Sequence, residues 1–536
     1  YFTADDGVTG YKLWKSDGTS IGTNLVKDIL PGSSNADLNN FTVLDDTLFF
    51  TANSLYGGNS LWVSDGSNAG TNIVADINDQ GDSRPQWLFA ANSHLYFSAF
   101  DGVHGRELWR TDGTELGTHL WADVGQVGGH SDIKSMVTLK GVRYFLANDG
   151  AGGGENIWRT DGTNQGTFVV REDLLNPNEL IAANNFIYFT AYDYLYGEEL
   201  WKTDGTVEGT SMVKDVLTGV ESSNPFLFTT KGDSLYFAAT DADRGYNLWI
   251  TDGTAVGTIL LQKIWTGENT VLMLDSKSKP FAMLNSELYF SSNGGESGWE
   301  LWKSDGTPAG TSLVKDINTG SLDSFPYWMT TMGDDLYFTA KESNTGTELW
   351  KSDGSTEGTS LVKDIRPGSE SSSPSIIGTT GFEIYIDSNI WADDGNIESS
   401  LWKSDGTEAG TTYVKSVRAF RGMDPFTSIP TEYEYTVMGN ILYFSGNDSI
   451  HGVELWRSDG TDEGTFLVKD ITPIEPYTIQ SVPTQLTTIG HNFYFIVNDG
   501  MYGEELWKSD GTESGTQMVT DLNLGSSSGM FSILGQ

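Results

Sequence analysis

The chain has 536 residues, 38% hydrophobic and 12% aromatic, with no cysteine, which excludes a generally disordered polymer, disulfides and thiolate metal sites. Lys and Arg number 31 against 73 Asp and Glu, so the formal net charge is −42 and binding to nucleic-acid phosphates or anionic lipid is excluded. Such an excess of carboxylate suits solubility, high salt or hard cations such as calcium, and no run approaches the ~20 apolar residues of a membrane-spanning helix.

The chain opens on a β-rich run, Tyr1-Phe2-Thr3-Ala4, with no basic-then-apolar leader, so a targeting signal is expected elsewhere in a precursor. From there one pattern repeats: Trp, any residue, Ser/Thr, Asp, Gly, Thr/Ser, two variable residues, Gly, Thr. Its tryptophans are Trp14, Trp62, Trp109, Trp158, Trp201, Trp249, Trp302, Trp350, Trp402, Trp456 and Trp507. They span 493 residues in ten steps, about 49 each. Repeats of this length indicate solenoids, propellers or arrays.

The unit from Ser324 to Asp364 shows the internal order. "SFPYWMTTMGDD", "LYFTAKESNTGT", "ELWKSDGSTEGT" and "SLVKDI" hold four short β-rich runs, here A to D, broken by Gly, Asp, Ser and Pro. B runs such as Leu95-Tyr96-Phe97-Ser98-Ala99 are apolar on both alternating faces and need cover on both sides. Stacked four-stranded sheets supply it, which is the blade pattern of a β-propeller. The expected fold is therefore all-β: one domain over residues 1–536, a single large propeller of about eleven four-stranded blades. Its first unit lacks an A run, and the run at 530–534 is a spare one, so the two ends are expected to pair. Two smaller propellers or an open solenoid are the alternatives.

The phrase Glu348-Leu349-Trp350-Lys351-Ser352-Asp353-Gly354, with its ten relatives, resembles the bacterial ELWxxDGT-repeat, hyalin-like proteins along essentially the whole chain. That resemblance implies a secreted or cell-surface bacterial protein of β-propeller type and implies no particular chemistry.

Each motif Asp (Asp17, Asp65, Asp112, Asp161, Asp204, Asp252, Asp305, Asp353, Asp405, Asp459 and Asp510) suits an Asx-turn in which the next Gly supplies a positive φ. The alternative is that each holds an ion, but one carboxylate per turn is far short of calcium's six to eight oxygens. A better calcium candidate is the B–C loop, with Asp101 and Glu107 in "DGVHGRE", Asp499 and Glu505 at like spacing, and Asp5 and Asp149 in comparable places. A plain solvated turn is the competing reading. No cofactor is required, and calcium is the one the composition admits.

The same loops carry an aromatic or imidazole residue five positions before the Trp: His104, Tyr196, His451 and Tyr502. These, with Trp391, form a candidate carbohydrate-binding set; the alternative is that they only shield loop backbone. No His-Glu-x-x-His, Gly-x-Ser-x-Gly or phosphate-binding Gly/Lys loop occurs.

Three segments depart from the repeat. They are Ile264 to Pro280, the ninth unit's "YIDSNIWADDGNIESS" with Trp391, Asp393 and Asp394, and the insertion from Arg418 to Tyr435. Insertions on a rigid repeat are where function concentrates, although length drift alone explains them as well. The function expected is a non-enzymatic extracellular or surface scaffold for adhesion, matrix or surface-layer assembly. A lectin-like module, with or without calcium, and a polysaccharide-active enzyme are the alternatives. Expected partners are an extracellular glycan, a neighbouring surface protein or further copies of the chain.

Overall fold

A computed structural model describes the chain except for residues 33, 55–57, 80, 92, 126–130, 132, 149–153, 164, 243–244, 264–280, 392–396, 424–429, 473–481, 523–531 and 534–536. The fold is all-β, with no helix among the described residues, and consists of eleven antiparallel blades of β-propeller class.

Blade eight shows why these residues form these strands. Strands A to D are Tyr327–Met332, Asp335–Glu342, Gly346–Ser352 and Ser360–Lys363. Gly-containing turns separate them, and B aligns with C so that Phe338 lies opposite Trp350. Leu336 through Ala340 are all buried, as a strand with two apolar faces requires. Alternate side chains go to opposite faces. Leu336, Phe338 and Ala340 join Trp350 in a cluster with Tyr289, Leu301 and Val314 of blade seven. Tyr337 and Leu349 join Ile376, Ile384 and Ile386 of blade nine. Each large side chain so covered stabilises by about 1.5–3 kcal/mol.

The motif tryptophans pack into these inter-blade layers, as Trp201, Trp249, Trp350, Trp456 and Trp507 show. Seven are buried (Trp14, Trp62, Trp201, Trp249, Trp350, Trp456 and Trp507), and Trp109, Trp158, Trp302 and Trp402 are partly buried.

Among the described residues ten sheets have four strands, and in the first blade Tyr11–Lys15 lies between Phe2–Asp5 and Asn24–Lys27. The tenth blade has five strands. Its A position is split between Arg418–Ala419 and Tyr435–Met438, both paired with Ile441–Asn447, and the insertion between them forms its own two-stranded ribbon. By packing, the chain divides into two compact units, residues 1–15 with 24–260 and residues 16–23 with 261–536.

Candidate functional site

The most repeated chemistry lies in the C–D turn, and blade eight again serves. Asp353 Oδ1 accepts the Ser355 N–H at 2.8 Å, Ser355 Oγ accepts the Gly358 N–H at 2.9 Å, and the Ser352 and Thr359 hydroxyls meet at 2.6 Å. The Thr359 hydroxyl also donates to the Ser355 carbonyl at 2.6 Å. All eleven turns share this network, from the Ser16–Thr23 hydroxyl pair at 2.7 Å to Ser509–Thr516 at 2.7 Å. In the first turn the hydroxyl bond from Thr19 holds the Asp17 carboxyl below the usual range, and most of the other turn aspartates are lowered in the same way. These carboxylates are occupied by their own turns, as the Asx-turn reading expects.

Both glycines of the motif answer to space. The second, Gly358 and its equivalents, packs directly on the turn Asp, so an added Cβ would overlap that carboxylate. The first adopts a positive φ, +89° at Gly253 and +87° at Gly406, and in several blades it also receives the B-strand tyrosine of the preceding blade, whereas Gly113 meets Phe49 and Gly460 meets Glu383 and Lys403. At Gly253 a Cβ would lie 2.7 Å from the Tyr188 hydroxyl, and Gly406 meets Tyr337 in the same way. D-strand lysines add a second tie to the following turn: Lys214 donates to the Thr258 carbonyl at 2.7 Å and Lys315 to that of Thr359 at 2.6 Å. The sequence marked the first glycine's φ but gave no sign of this tyrosine, because the partners lie in different repeats.

The candidate calcium ligands separate into two roles. Asp5 Oδ1 accepts the Gly7 N–H at 2.8 Å. Asp101 accepts the Val103 and His104 N–H groups at 2.9 and 2.8 Å, and Asp499 those of Met501 and Tyr502 at 2.9 and 2.8 Å. Glu107 and Glu505 instead point inward and are 0% exposed. Glu107 Oε2 accepts Val124 and Gly125 N–H at 2.5 and 2.8 Å, and Glu505 accepts Leu522 N–H at 3.3 Å. They pin the connection from strand D to the next A strand, as do Glu199, Glu300 and Glu348. Burial pushes Glu107 up to about 8 and Glu199, Glu300 and Glu348 up to about 7, because desolvation outweighs the N–H bonds they accept. Asp149 lies outside the described residues. Among the described residues no group of three His, Asp or Glu side chains is arranged to hold a metal ion.

The candidate aromatic set is partly committed to its own loops. The His104 ring bonds Asp101 at 2.6 Å and the His451 ring bonds Asp448 at 2.6 Å, and this bond raises each imidazole's proton affinity. Tyr196 and Tyr502 are exposed. Trp391 ends strand B of blade nine, opposite Ile397. Two of the departures meet: the insertion's Tyr433 hydroxyl donates to Asp387 Oδ2 of blade nine at 3.3 Å, and both residues are buried. Asp393 and Asp394, and the segment from Ile264 to Pro280, lie outside the described residues.

Sequence reasoning missed a recurrent feature of strand A. In seven blades the A strand bulges, and a non-glycine residue there takes a left-handed φ of 50–56°: Asn40, Trp87, Ser135, Glu179, Leu227, Trp328 and Gln485. That conformation costs about 1–2 kcal/mol for an ordinary residue. The residue types share nothing, so the sequence carries no signal for it.

No family model and no curated protein matches the chain. Among solved structures it is similar to the computationally designed Ika8 protein, at 12% identity over 72% of this chain and 99% of that one, with a TM-score of 0.28. It is also similar to a puromycin hydrolase, at 14% identity over 74% and 61% with a TM-score of 0.28. A third is a puromycin-hydrolyzing peptidase of Mycobacterium tuberculosis, at 10% identity over 74% and 61% with a TM-score of 0.29. This chain thus spans about three fifths of the latter two. Likenesses this weak carry no argument about activity.

Proposed function

We propose that the chain is a non-enzymatic scaffold of the cell surface or extracellular space, used in adhesion, a matrix or a surface layer. One observation carries this reading: the polar side chains that recur most often are spent on the framework itself. The turn aspartates, the Ser/Thr pairs and the buried glutamates bond to backbone or to each other in blade after blade. A repeat whose chemistry is consumed in this way is built for stiffness and display. The resemblance to ELWxxDGT-repeat proteins supports the surface location, and the −42 charge suits an exposed, well-solvated particle.

The partners proposed are neighbouring surface proteins, further copies of the chain, and extracellular glycan. Calcium is proposed only as an accessory of the B–C loops, and an unchanged melting temperature in EDTA would rule it out. A drop of several degrees would instead reveal an ion bound by the folded state. The scaffold reading is tested by incubating the purified chain with a panel of polysaccharides while following its self-association by light scattering. Association without release of reducing ends is expected, and turnover above the buffer control would overturn the reading.

A further inference from the structure

The A strands of blades two and three, Asn39–Leu44 and Gln86–Ala91, lie side by side in the first unit. Between them is a cleft of about 470 Å³, lined by Asn40, Phe41, Thr42, Gln86, Trp87 and Leu88. Its size falls within the ~300–1,000 Å³ of small-molecule sites. Two bulges shape it, since Asn40 and Trp87 have φ of 54° and 55°. The Thr42 hydroxyl donates to the Leu88 carbonyl at 3.4 Å and ties the walls together. Asn40 Nδ2 donates to Thr51 Oγ1 at 3.2 Å and to the Pro85 carbonyl at 3.4 Å, which fixes the amide in place.

The bulge recurs in other blades and belongs to the repeat; the side chains it presents here do not. Trp87 is 47% exposed, whereas its counterpart Trp328 in blade eight packs against the cluster around Tyr337. A half-bare indole is costly to leave in water and offers a rigid apolar face with a polar edge. Beside it stand the Asn40 and Gln86 carboxamides and the Thr42 hydroxyl, groups that give and accept hydrogen bonds without charge. No lining side chain is charged, although the chain as a whole carries −42.

We infer that this cleft binds a neutral oligosaccharide, with the C–H face of one pyranose ring stacked on Trp87 and its hydroxyls bonded by Asn40 and Gln86. An anionic ligand is disfavoured by the surrounding field, and a cation finds no carboxylate on the lining, only the Trp87 face that the sugar would cover. A pyranose presents an apolar face ringed by neutral hydroxyls, which matches this surface group for group. The inference rests on the proposed reading for its glycan partner and gives that partner a place, while the scaffold role itself is read from self-association and not from sugar binding.

Titration calorimetry and tryptophan fluorescence with cellohexaose, maltohexaose and mannohexaose, and with hexagalacturonate as the anionic probe, test it on the full chain. At least one neutral hexaose is expected to bind and hexagalacturonate to bind none or far less. Trp87→Ala should weaken the neutral complex about tenfold or more, and Gln86→Ala severalfold, at unchanged melting temperatures. Val256→Ala, at a 91% exposed position in the C–D turn of blade six, should leave binding intact. Silence from all three neutral hexaoses, or binding that survives Trp87→Ala or is lost with Val256→Ala, would overturn the inference.

Discussion

The C–D turn and the A strand both recur through the molecule, but they are conserved in different currencies. In the turn, backbone and side chains repeat together: the same Asp, hydroxyl pair and two glycines close every copy. In the A strand only the backbone repeats, and its bulge presents Asn40, Trp87, Ser135, Glu179, Leu227, Trp328 or Gln485 at one structural position. The turn docks blade on blade, so a change in it is felt by two sheets. The bulged residue makes a different contact in each blade, Asn40 with the Pro85 carbonyl and Trp328 with the cluster around Tyr337, so its side chain can vary. Framework and display are thus separated within a single repeat.

The largest effect should come from breaking the framework. Trp350→Ala empties an inter-blade layer in which the ring is 4% exposed and should cost about 3–5 kcal/mol in denaturant unfolding. The buried glutamates give a next, pH-dependent effect. Folding raises Glu348 from 4.5 to about 7, so its stabilisation is fully present below pH 4.5 and is lost as pH rises through about 7. The melting temperature should therefore be higher at pH 5 than at pH 8, and Glu348→Gln should flatten that slope. A slope unchanged by the substitution would show that the carboxyl does not titrate in this range. The smallest effect belongs to the display side: Trp87→Ala should shift stability by less than about 1 kcal/mol, against several for Trp350→Ala. Comparable losses from the two tryptophans would dissolve the separation.

The repeat and its four strands were legible because period and composition are local signals. Glu107 was less so. Beside Asp101 in "DGVHGRE" it reads as a loop ligand, yet strand alternation turns it inward to cap backbone N–H groups of Val124 and Gly125. The match of Tyr337 to Gly406 was invisible because it joins different repeats through space. The bulge left no trace, since, Asn40 apart, its left-handed φ falls on residues that do not favour it.

Two glycines of one unit isolate the blade-to-blade docking most directly. Gly368 has φ +109° with nothing within 4 Å of an added Cβ, whereas Gly406 has φ +87° and lies beneath the Tyr337 hydroxyl. Alanine at Gly368 pays only for the backbone, about 1–2 kcal/mol. At Gly406 it must also displace a buried tyrosine, an added cost of about 1–3 kcal/mol. Unfolding midpoints of Gly368→Ala and Gly406→Ala should therefore differ clearly, with Gly406→Ala the less stable. Equal midpoints would contradict the claim that the repeated turn exists to receive its neighbour.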